Sequence, residues 1–313
     1  MTKYAFFQDQ IVPIEQAKIS VRTHALHYGT ACFGGLRGYW NDGEKELFVF
    51  RILDHYKRFL DSARLLRIEL PYSVNDLAEI TLDLLRREGW RQDVYIRPLA
   101  YKADELIGVR LHDLTDALTI FSQPFGRYID QEEGAHVTFS SWKRVDDNAI
   151  PARGKISGSY ANSALIKSDA MLSGFDEALV LNADGHLSEG SAENVFIVRG
   201  DVAITPPITD NILEGITRRT VLYLLSHELG VKVLERPVDR TEVYLADEAF
   251  FCGTGVQIAA IVRADHRPIG TGQMGPITVQ LRDLYFDVVR GKAARFRHWC
   301  TPLYSEQASP ASA

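Results

Sequence analysis

The sequence predicts a two-domain protein that mixes α-helices with β-strands, in the α+β or α/β class. Its 313 residues are 46% hydrophobic and 24% charged, which is enough chain for two domains that each bury a core. Short apolar strands alternate with amphipathic helices in both halves. A polar, irregular stretch near the middle suits a connection between domains. We therefore predict a small N-terminal domain over 1–123, a connection over 124–134 and a large domain over 135–300.

The first half contains predicted strands, one hairpin and two helices. Asn41-Asp42-Gly43-Glu44 separates two apolar runs and predicts a β-hairpin, because Asp-Gly tolerates the positive φ angles of a tight turn. Ser73 and Asp76 form the pattern of a capping box for a helix that ends before Gly89. An apolar period of 3.6 predicts another helix over 53–66. Strands are predicted over 4–7, 11–14, 18–21, 36–40, 47–50, 93–100 and 117–122.

The second half predicts another β-rich core with three helices. Glycine at the C-terminal end supports a helix over 160–173, which Gly174 follows, and a helix over 217–229, which Gly230 follows. The third helix, over 277–289, is amphipathic. Strands are predicted over 137–140, 178–182, 195–198, 202–205, 231–238 and 248–251. The tail over 301–313 is rich in Ser, Ala and Pro, and we predict that it is disordered.

Charge and cysteine content narrow the class of function. A formal net charge of −6 argues against nucleic acid or an anionic membrane as a partner, since both call for a basic face. Three widely spaced cysteines fit a reducing compartment better than a disulfide framework or a metal site. No apolar run reaches membrane length. We expect a cytoplasmic protein that acts on small molecules without a metal.

Lys155 is the first candidate for chemistry. It stands among the small residues Gly154 and Ser157-Gly158-Ser159, just before a predicted helix. A lysine amine can form a Schiff base with a carbonyl cofactor, and bare backbone around it lets a flat ring approach. The alternative is an ordinary surface lysine in a glycine-rich loop.

Three further segments could complete a cofactor site. Glu189 lies in a polar loop between two predicted strands, where a buried carboxylate could keep a pyridine ring nitrogen protonated. Gly215-Ile216-Thr217 opens a predicted helix, whose N–H groups can hold a phosphate. Gly253-Thr254-Gly255 follows a strand and offers a second cradle of bare backbone. The alternatives are a solvated carboxylate, a helix cap and a plain turn.

Taken together, the order and spacing of these motifs resemble the fold type IV pyridoxal-phosphate enzymes, and specifically the branched-chain aminotransferases. The resemblance covers nearly the whole chain. It implies a small α/β sandwich domain, a larger pseudo-barrel domain, pyridoxal 5'-phosphate (PLP) as the cofactor, and a homodimer or higher homo-oligomer. The matching pieces are Gly154-Lys155, Tyr160, Leu187-Ser188-Glu189-Gly190, Glu193-Asn194-Val195-Phe196, Leu213-Glu214-Gly215-Ile216-Thr217-Arg218, Tyr244-Leu245-Ala246-Asp247-Glu248 and Gly253-Thr254.

The resemblance also implies roles for individual residues. Lys155 would be the Schiff-base lysine and proton shuttle, Tyr160 would bind the phenolic oxygen of the cofactor, and Glu189 would bind its pyridinium nitrogen. The phosphate would be bound by Ile216, Thr217, Thr254 and Arg58. Without the family, Arg58 in His55-Tyr56-Lys57-Arg58 would be interpreted as a surface arginine.

Substrate residues are expected mainly in the first domain. Tyr95-Ile96-Arg97 matches the branch that acts on L-amino acids, where the tyrosine helps to receive the substrate carboxylate. Tyr28 and the loop around Val109 are expected to reach the neighbouring subunit's site. The alternatives are aromatic packing for Tyr28, Phe33 and Tyr95 and a salt bridge for Arg97. The full predicted set is Tyr28, Phe33, Gly35, Arg37, Tyr95, Arg97, Ile107, Val109, Thr254 and Gly255.

The expected activity is transfer of the amino group of L-leucine, L-isoleucine or L-valine to 2-oxoglutarate. The alternatives within the fold are a D-amino-acid aminotransferase and an aminodeoxychorismate lyase, and Tyr95 with Arg97 speaks against both. A non-enzymatic protein would have lost Lys155 or Glu189. One departure stands out, because the family commonly has glutamate where this chain has Gly34. Gly34 suggests broader specificity, towards aromatic donors or (R)-amines, unless it only eases a strand bend.

Overall fold

The computed structural model describes residues 2–126 and 134–305. The chain divides into two compact units. The first contains the described residues up to Gly126 together with those from Phe286 onward, and the second contains the described residues between them, up to Tyr285. Within the described ranges, no helix is both long enough and apolar enough to cross a membrane.

Seventeen strands and seven α-helices are described. In chain order, the strands are β1 (Tyr4–Phe7), β2 (Gln10–Pro13), β3 (Ala31–Phe33), β4 (Leu36–Asn41), β5 (Glu46–Phe50), β6 (Val94–Lys102), β7 (Asp116–Pro124), β8 (Ala135–Lys143), β9 (Glu177–Leu181), β10 (Leu187–Gly190), β11 (Asn194–Arg199), β12 (Val202–Thr205), β13 (Lys232–Glu235), β14 (Glu248–Gly253), β15 (Gln257–Ala264), β16 (Arg267–Pro268) and β17 (Cys300–Pro302). The helices are α1 (His24–Tyr28), α2 (Ile52–Leu65), α3 (Val74–Glu88), α4 (Tyr160–Leu172), α5 (Ile216–Tyr223), α6 (Arg240–Tyr244) and α7 (Pro276–Val289).

The first unit is built on an eight-stranded antiparallel sheet in the order β17-β5-β4-β6-β7-β1-β2. Strand β3 also pairs with β6, so β3 and β4 follow one another along the same edge of β6. The apolar faces of α2 and α3 pack on this sheet, with Tyr56, Phe59 and Leu77 among their buried side chains. This packing is what removes apolar surface from water and holds the layer together.

The second unit contains a nine-stranded sheet in the order β10-β9-β8-β15-β14-β11-β12-β13, with β16 on β15. The sheet mixes antiparallel pairs with parallel ones, since β8 runs parallel to both β9 and β15. Strands β9 and β11 are buried almost throughout, and their apolar side chains form the core of the unit. The strand ends and the turns between them present the polar residues of the site.

Local sequence signals that have a direct physical cause are confirmed. The Asp-Gly segment joins β4 to β5 as a hairpin. Ser73 accepts the N–H of Asp76 and the Asp76 carboxylate accepts the N–H of Ser73, so the capping box is formed. Gly89 ends α3 in the left-handed conformation that glycine tolerates best.

One predicted element is wrong, and another is wrong in part. Residues 18–21 do not form a strand, and their apolar side chains Ile19 and Val21 are 50% and 78% exposed. They precede the short helix α1, which the sequence did not predict. The predicted helix over 217–229 is α-helical only to Tyr223, after which Leu224–Glu228 widens into a π-helical turn.

The predicted domain limits also need correction. Residues from Phe286 onward belong to the first unit, although we expected the large domain to continue to residue 300. The described part of the predicted tail, residues 301–305, is ordered: Thr301 and Pro302 lie in β17, and Leu303 is 1% exposed. Pro124, placed in the connection, ends β7. The remainder of the connection over 127–133 and the tail over 306–313 lie outside the described residues.

Candidate active site

Lys155 lies beside a phenol at the start of a helix. The chain makes one 3-10 turn over Ser157–Ser159 and then enters α4, whose first residue is Tyr160. The Lys155 Nζ donates a hydrogen bond to the Tyr160 Oη at 2.5 Å, and Lys155 is half-buried. Gly154 before it is buried. A lysine amine is thus held in a fixed place by a hydroxyl group, which favours a chemical role over that of a solvated surface lysine.

Glu189 is a buried carboxylate with three different donors. It lies in β10 and is 2% exposed. Its Oε1 pairs with the Arg144 guanidinium at 2.5 Å, and its Oε2 accepts from Asn194 Nδ2 at 2.9 Å and from the Leu213 N–H at 3.2 Å. Burial raises the pKa of Glu189, and the Arg144 charge, the Leu213 N–H and the charge of Lys155 oppose that rise. A solvated turn carboxylate is therefore excluded.

Asn194 ties Glu189 to the start of α5. Its side-chain amide donates both to Glu189 and to the Leu213 carbonyl, at 3.0 Å. A Cβ on Gly215 would overlap the Asn194 Oδ1, so only glycine fits at this position. Gly215 is the residue that precedes α5. One asparagine therefore positions both the buried carboxylate and the beginning of a helix.

The two proposed phosphate segments lie at the ends of regular elements in the second unit. Ile216 and Thr217 form the first turn of α5 and are 5% and 3% exposed. The N–H groups of a first turn have no acceptor within their own helix and can bind an anion. Thr254 and Gly255 follow β14 and are half-buried. A Cβ built on Gly255 would meet no heavy atom of the described residues within 4 Å.

In the first unit, the structure brings five of the predicted substrate residues onto one face of the sheet. Arg37 in β4 lies directly opposite Tyr95 in β6, and alternate residues of a strand point to the same side. The Arg97 Nη2 donates to the Tyr95 Oη at 3.0 Å, and its guanidinium carbon lies 4.3 Å from the centre of the Phe33 ring. A Cβ on Gly35 would strike the Tyr95 hydroxyl, so this glycine leaves room for that hydroxyl.

Gly34 has a backbone reason to be glycine. Its N–H donates to the Pro98 carbonyl at 2.8 Å, and a Cβ at position 34 would overlap the Pro98 ring. A glutamate here would force the β3–β4 junction away from β6. The close approach of Pro98 accounts for Gly34, and the broader specificity inferred from Gly34 stays a prediction without support from this contact.

Tyr28 and the loop over 107–109 form a second group in the first unit. The Tyr28 Oη accepts the Gly108 N–H at 3.1 Å. The ring of His24, which is fully buried, bridges the Thr30 hydroxyl at 2.7 Å and the Gly108 carbonyl at 2.6 Å. These contacts fix the loop, yet Ile107 and Val109 are 77% and 78% exposed.

Arg58 lies on α2 and is half-buried, with its carbonyl accepting the Ser62 hydroxyl. It belongs to the first unit, whereas Lys155, Glu189, Thr217 and Thr254 belong to the second. Its role towards a phosphate stays a prediction.

Sequence reasoning missed three residues that organise these groups: Arg144, Asn194 as a ligand of Glu189, and His24. Arg144 follows the end of β8 and carries no motif of its own. Its partner is 45 positions away, so only strand pairing reveals the contact. The signals available were weak: Asn194 stands in a matching motif, and His24 lies three residues before His27.

The whole chain has clear relatives. The family described as amino-transferase class IV matches residues 32–264, and the chain belongs to this family. It is similar to the probable branched-chain-amino-acid aminotransferase of Aquifex aeolicus, at 49% identity over 97% of each chain.

Two solved structures are also similar to the chain. One is the branched-chain aminotransferase of Thermoproteus uzoniensis with norvaline, with a TM-score of 0.93 and 39% identity over 97% of this chain and 100% of that one. The other is the branched-chain amino acid aminotransferase of Thermobaculum terrenum in its PLP form. It has a TM-score of 0.93 and 41% identity over 97% of this chain and 99% of that one. The predicted fold type IV architecture is confirmed.

A further solved branched-chain amino acid aminotransferase is complexed with N-(5'-phosphopyridoxyl)-L-glutamate. It is similar to this chain at a TM-score of 0.91 and 36% identity, over 97% of this chain and 99% of that one. We call it the phosphopyridoxyl-glutamate complex.

The donor set of the second unit fits a phosphorylated pyridine aldehyde. Glu189 offers a buried negative charge for a ring nitrogen, and Lys155 with Tyr160 offers an amine and a phenol for an aldehyde and its neighbouring oxygen. The first turn of α5 offers N–H groups and the Thr217 hydroxyl for a phosphate. Each polar part of such a molecule thus has a complementary group of the right charge.

Proposed function

We propose that this chain is a PLP-dependent branched-chain-amino-acid aminotransferase. The observation that supports this most directly is the Lys155 Nζ, held at 2.5 Å by Tyr160 at the start of α4, in a member of the class IV aminotransferases. A non-enzymatic relative would have no need to keep an amine, a phenol and a buried carboxylate in this arrangement. D-Amino-acid aminotransferase and aminodeoxychorismate lyase activities are not favoured, since the named relatives are branched-chain enzymes.

Bound PLP supplies an aldehyde that takes up the amino group and a ring that withdraws electrons from the substrate α-carbon. Lys155 would bind that aldehyde in the resting enzyme. Once released, its neutral Nζ would accept the proton from the substrate α-carbon and donate it to C4′ of the cofactor, so that one residue would act as general base and then as general acid. Tyr160 would hold the Nζ in place and interact with the phenolic oxygen of the ring.

The other residues of the second unit would bind and orient the cofactor. Glu189 would accept the N–H of the ring nitrogen, and its charge would favour the protonated ring. Ile216 and Thr217 would bind the phosphate through the first turn of α5, joined by Thr254.

The substrate residues would lie on the sheet of the first unit. Tyr95 and Arg97 form a hydroxyl and guanidinium pair that suits an α-carboxylate. Phe33 and Gly35 would line the pocket beside them, with Arg37 next to Tyr95. We propose L-leucine, L-isoleucine and L-valine as donors and 2-oxoglutarate as the acceptor. The acceptor is supported by the glutamate moiety bound in the phosphopyridoxyl-glutamate complex.

We also propose a homodimer as the smallest active unit. Ile107 and Val109 are large apolar side chains on a loop that His24 and Tyr28 hold in place. Ordered and exposed apolar side chains are typical of a protein interface. Light scattering at the assay concentration measures the mass, and a fully active monomer would contradict the proposal.

A reducing compartment, the cytoplasm, is inferred for the protein. All three cysteines are buried free thiols. Burial raises the pKa of Cys32 to about 12. Burial is also the largest cause that raises the pKa of Cys300 to about 12. Thiols in this state are packed side chains with little tendency to react.

The proposed function is tested by single-turnover kinetics. We expect the PLP form to react with L-leucine much faster than with D-alanine or (R)-1-phenylethylamine, with loss of its near-visible absorption. In Lys155→Ala, the rate constant should fall by more than about 10³-fold because both nucleophile and base are removed. Phosphate contacts should still retain part of the PLP affinity.

Lys232→Ala is the matched control, since Lys232 is an exposed lysine in β13 of the same unit. It should react like the parent. Parental turnover by Lys155→Ala would disprove the assignment of Lys155, and a preference for D-alanine would favour the D-amino-acid branch.

A further inference from the structure

We propose that Arg144 is a positioning residue that keeps Glu189 ionised, so that the proton shared between this carboxylate and the cofactor stays on the ring nitrogen. The inference rests on the proposed function, because it assigns Arg144 a role towards the same cofactor. It concerns a residue outside every motif considered so far.

Among the residues that the structure describes, Glu189 is the only carboxylate that pairs with Arg144. Its Nη2 lies 2.5 Å from the Glu189 Oε1, and its Nε donates to the Asn211 carbonyl at 3.3 Å. Both side chains are nearly removed from solvent, at 14% and 3% exposure. The carbonyl fixes the plane of the guanidinium, and the guanidinium fixes one oxygen of the carboxylate.

The second oxygen of Glu189 has neutral donors only. Asn194 Nδ2 and the Leu213 N–H orient Oε2 without adding charge. Burial disfavours the charged form of a carboxyl, and with these two neutral donors burial is still the largest influence on the pKa of Glu189. Arg144 is the largest influence that opposes burial in setting the pKa of Glu189.

Other charged groups near Glu189 have a smaller influence on its pKa than Arg144 has. Lys155 and Arg218 also favour its ionised form, but less than Arg144 does. The Arg218 guanidinium is bound to the Pro206 carbonyl at 2.9 Å and to Glu235 at 2.6 Å. Glu193 is a buried acid near Glu189, and its charge would act in the opposite direction.

Distance decides where the shared proton stays. The guanidinium contacts the carboxylate directly, while a ring nitrogen bound by that carboxylate lies farther from Arg144. Since the energy between charges falls with distance, the Arg144 charge lowers the basicity of Glu189 more than that of the ring nitrogen. The proton is therefore favoured on the ring, where it strengthens electron withdrawal from the substrate α-carbon.

A double-mutant cycle between Arg144 and Glu189 tests this inference. The variants are Arg144→Gln, Arg144→Lys, Glu189→Gln and Arg144→Gln/Glu189→Gln. The first readout is the affinity of the apoprotein for PLP, titrated by absorbance. The second is the single-turnover rate constant and the KM for L-leucine. Arg199→Gln, at the exposed end of β11, is the control for loss of an arginine.

Arg144→Gln should weaken PLP binding by about 10-fold and lower the rate constant by about 10- to 100-fold, the usual effect of losing a partner behind a ligand. The KM for L-leucine should change little. Arg144→Lys, which keeps the charge, should recover most of the rate. In the Glu189→Gln background, Arg144→Gln should cause no further loss in either readout.

Equal losses from Arg144→Gln in both backgrounds would overturn the inference, since Arg144 would then act through other contacts. A parental rate and parental affinity in Arg144→Gln would also overturn it. If Arg144→Gln does not fold, the same cycle with Arg144→Lys must show a smaller effect in the Glu189→Gln background. If the parent fails to transaminate L-leucine, the proposed function fails, while the PLP-binding cycle still decides the role of Arg144.

Discussion

Glu46 in the first unit and Glu189 in the second are the same residue type with little exposed surface, and their pKa values are shifted in opposite directions. They are 4% and 2% exposed. The pKa of Glu46 is lowered from its ordinary value, whereas that of Glu189 is raised. Glu189 lies deeper in its unit than Glu46, and the two carboxylates also differ in which groups donate to them.

The Glu46 carboxylate accepts hydrogen bonds from four backbone N–H groups and one hydroxyl. Its Oε1 accepts the N–H groups of Leu47, Leu303 and Tyr304 at 2.8–2.9 Å, and its Oε2 accepts the N–H and the hydroxyl of Ser305, both at 2.7 Å. Burial alone would raise its pKa, but these donors outweigh burial. Its charge is fully satisfied, and its effect is to bind the 303–305 segment to β5.

Glu189 has fewer donors, and one of them is a charge. Burial is the largest influence on its pKa, and the Arg144 charge is the largest influence that opposes burial. Glu46, which binds one segment to a strand, is thus satisfied mainly by backbone N–H groups, while Glu189, which we propose to bind the cofactor, has the charge of Arg144 beside it. The comparison predicts that substitution of Glu189 lowers mainly the activity, whereas substitution of Glu46 lowers mainly the stability.

The largest expected effect is on activity. Glu189→Gln should lower the single-turnover rate constant with L-leucine by about 10³-fold, because a neutral amide cannot favour a protonated ring. Urea unfolding should change much less. Glu248→Gln is the matched control in the same unit: Glu248 is buried and binds the N–H groups of Ile277 and Thr278. Glu248→Gln should lose stability and keep the parental rate constant. A parental rate constant in Glu189→Gln would contradict the role given to Glu189.

The second effect is on stability. Glu46→Gln should lower the free energy of unfolding by about 3 kcal/mol, since the amide NH2 would face buried N–H groups that have lost an acceptor. Turnover at low temperature should stay near that of the parent. Glu44→Gln is the control, because Glu44 forms a half-exposed ion pair with Arg297 and should cost less than about 1 kcal/mol. Equal losses in the two variants would contradict the role given to Glu46.

The third effect is a pH dependence at Glu193. Burial first, and then the Glu177 charge, raise the pKa of Glu193 from 4.5 to about 8. Between these values the folded protein holds a proton that the unfolded chain has released, so stability should fall as pH rises from 4.5 through 8. Groups that face Glu193 include Glu177, with its partner Lys167, and Glu189.

Urea unfolding of the parent and of Glu193→Gln at about pH 5.5, 7 and 8.5 measures this effect. The parent should lose more stability than the variant over this range, because glutamine mimics the neutral acid without titrating. Parallel curves would show that Glu193 does not ionise within the window.

The fold could be predicted wherever the cause is local. Asp42-Gly43 and the Ser73–Asp76 box act within a few residues, and both predictions are confirmed. Ile19 and Val21 have the apolar pattern of a strand but pair with no strand among the described residues, so the strand predicted over 18–21 is wrong. The order of residues 301–305 depends on Glu46, more than 250 positions earlier, which composition cannot reveal.

The candidate site divides in the same way. Lys155 and Tyr160 are five positions apart at a helix start, and the motif identified both residues, although the hydrogen bond between them was not predicted. Arg144 and the buried state of Glu189 arise from strand pairing, and no short motif encodes them. The contact between Gly34 and Pro98 could not be predicted from the sequence, because it joins the β3–β4 junction to β6.

The pairing of β17 with β5 has a consequence for synthesis. Residues 300–302 complete the edge of a sheet whose other strands are all made before residue 125. While the second unit is being translated, β5 presents unpaired N–H and C=O groups, and Glu46 has no donors from residues 303–305. An open edge of this kind is a site for wrong pairing with another chain. The nascent first unit therefore stays unfinished until the second has been translated, and a ribosome that stalls before Cys300 leaves it incomplete.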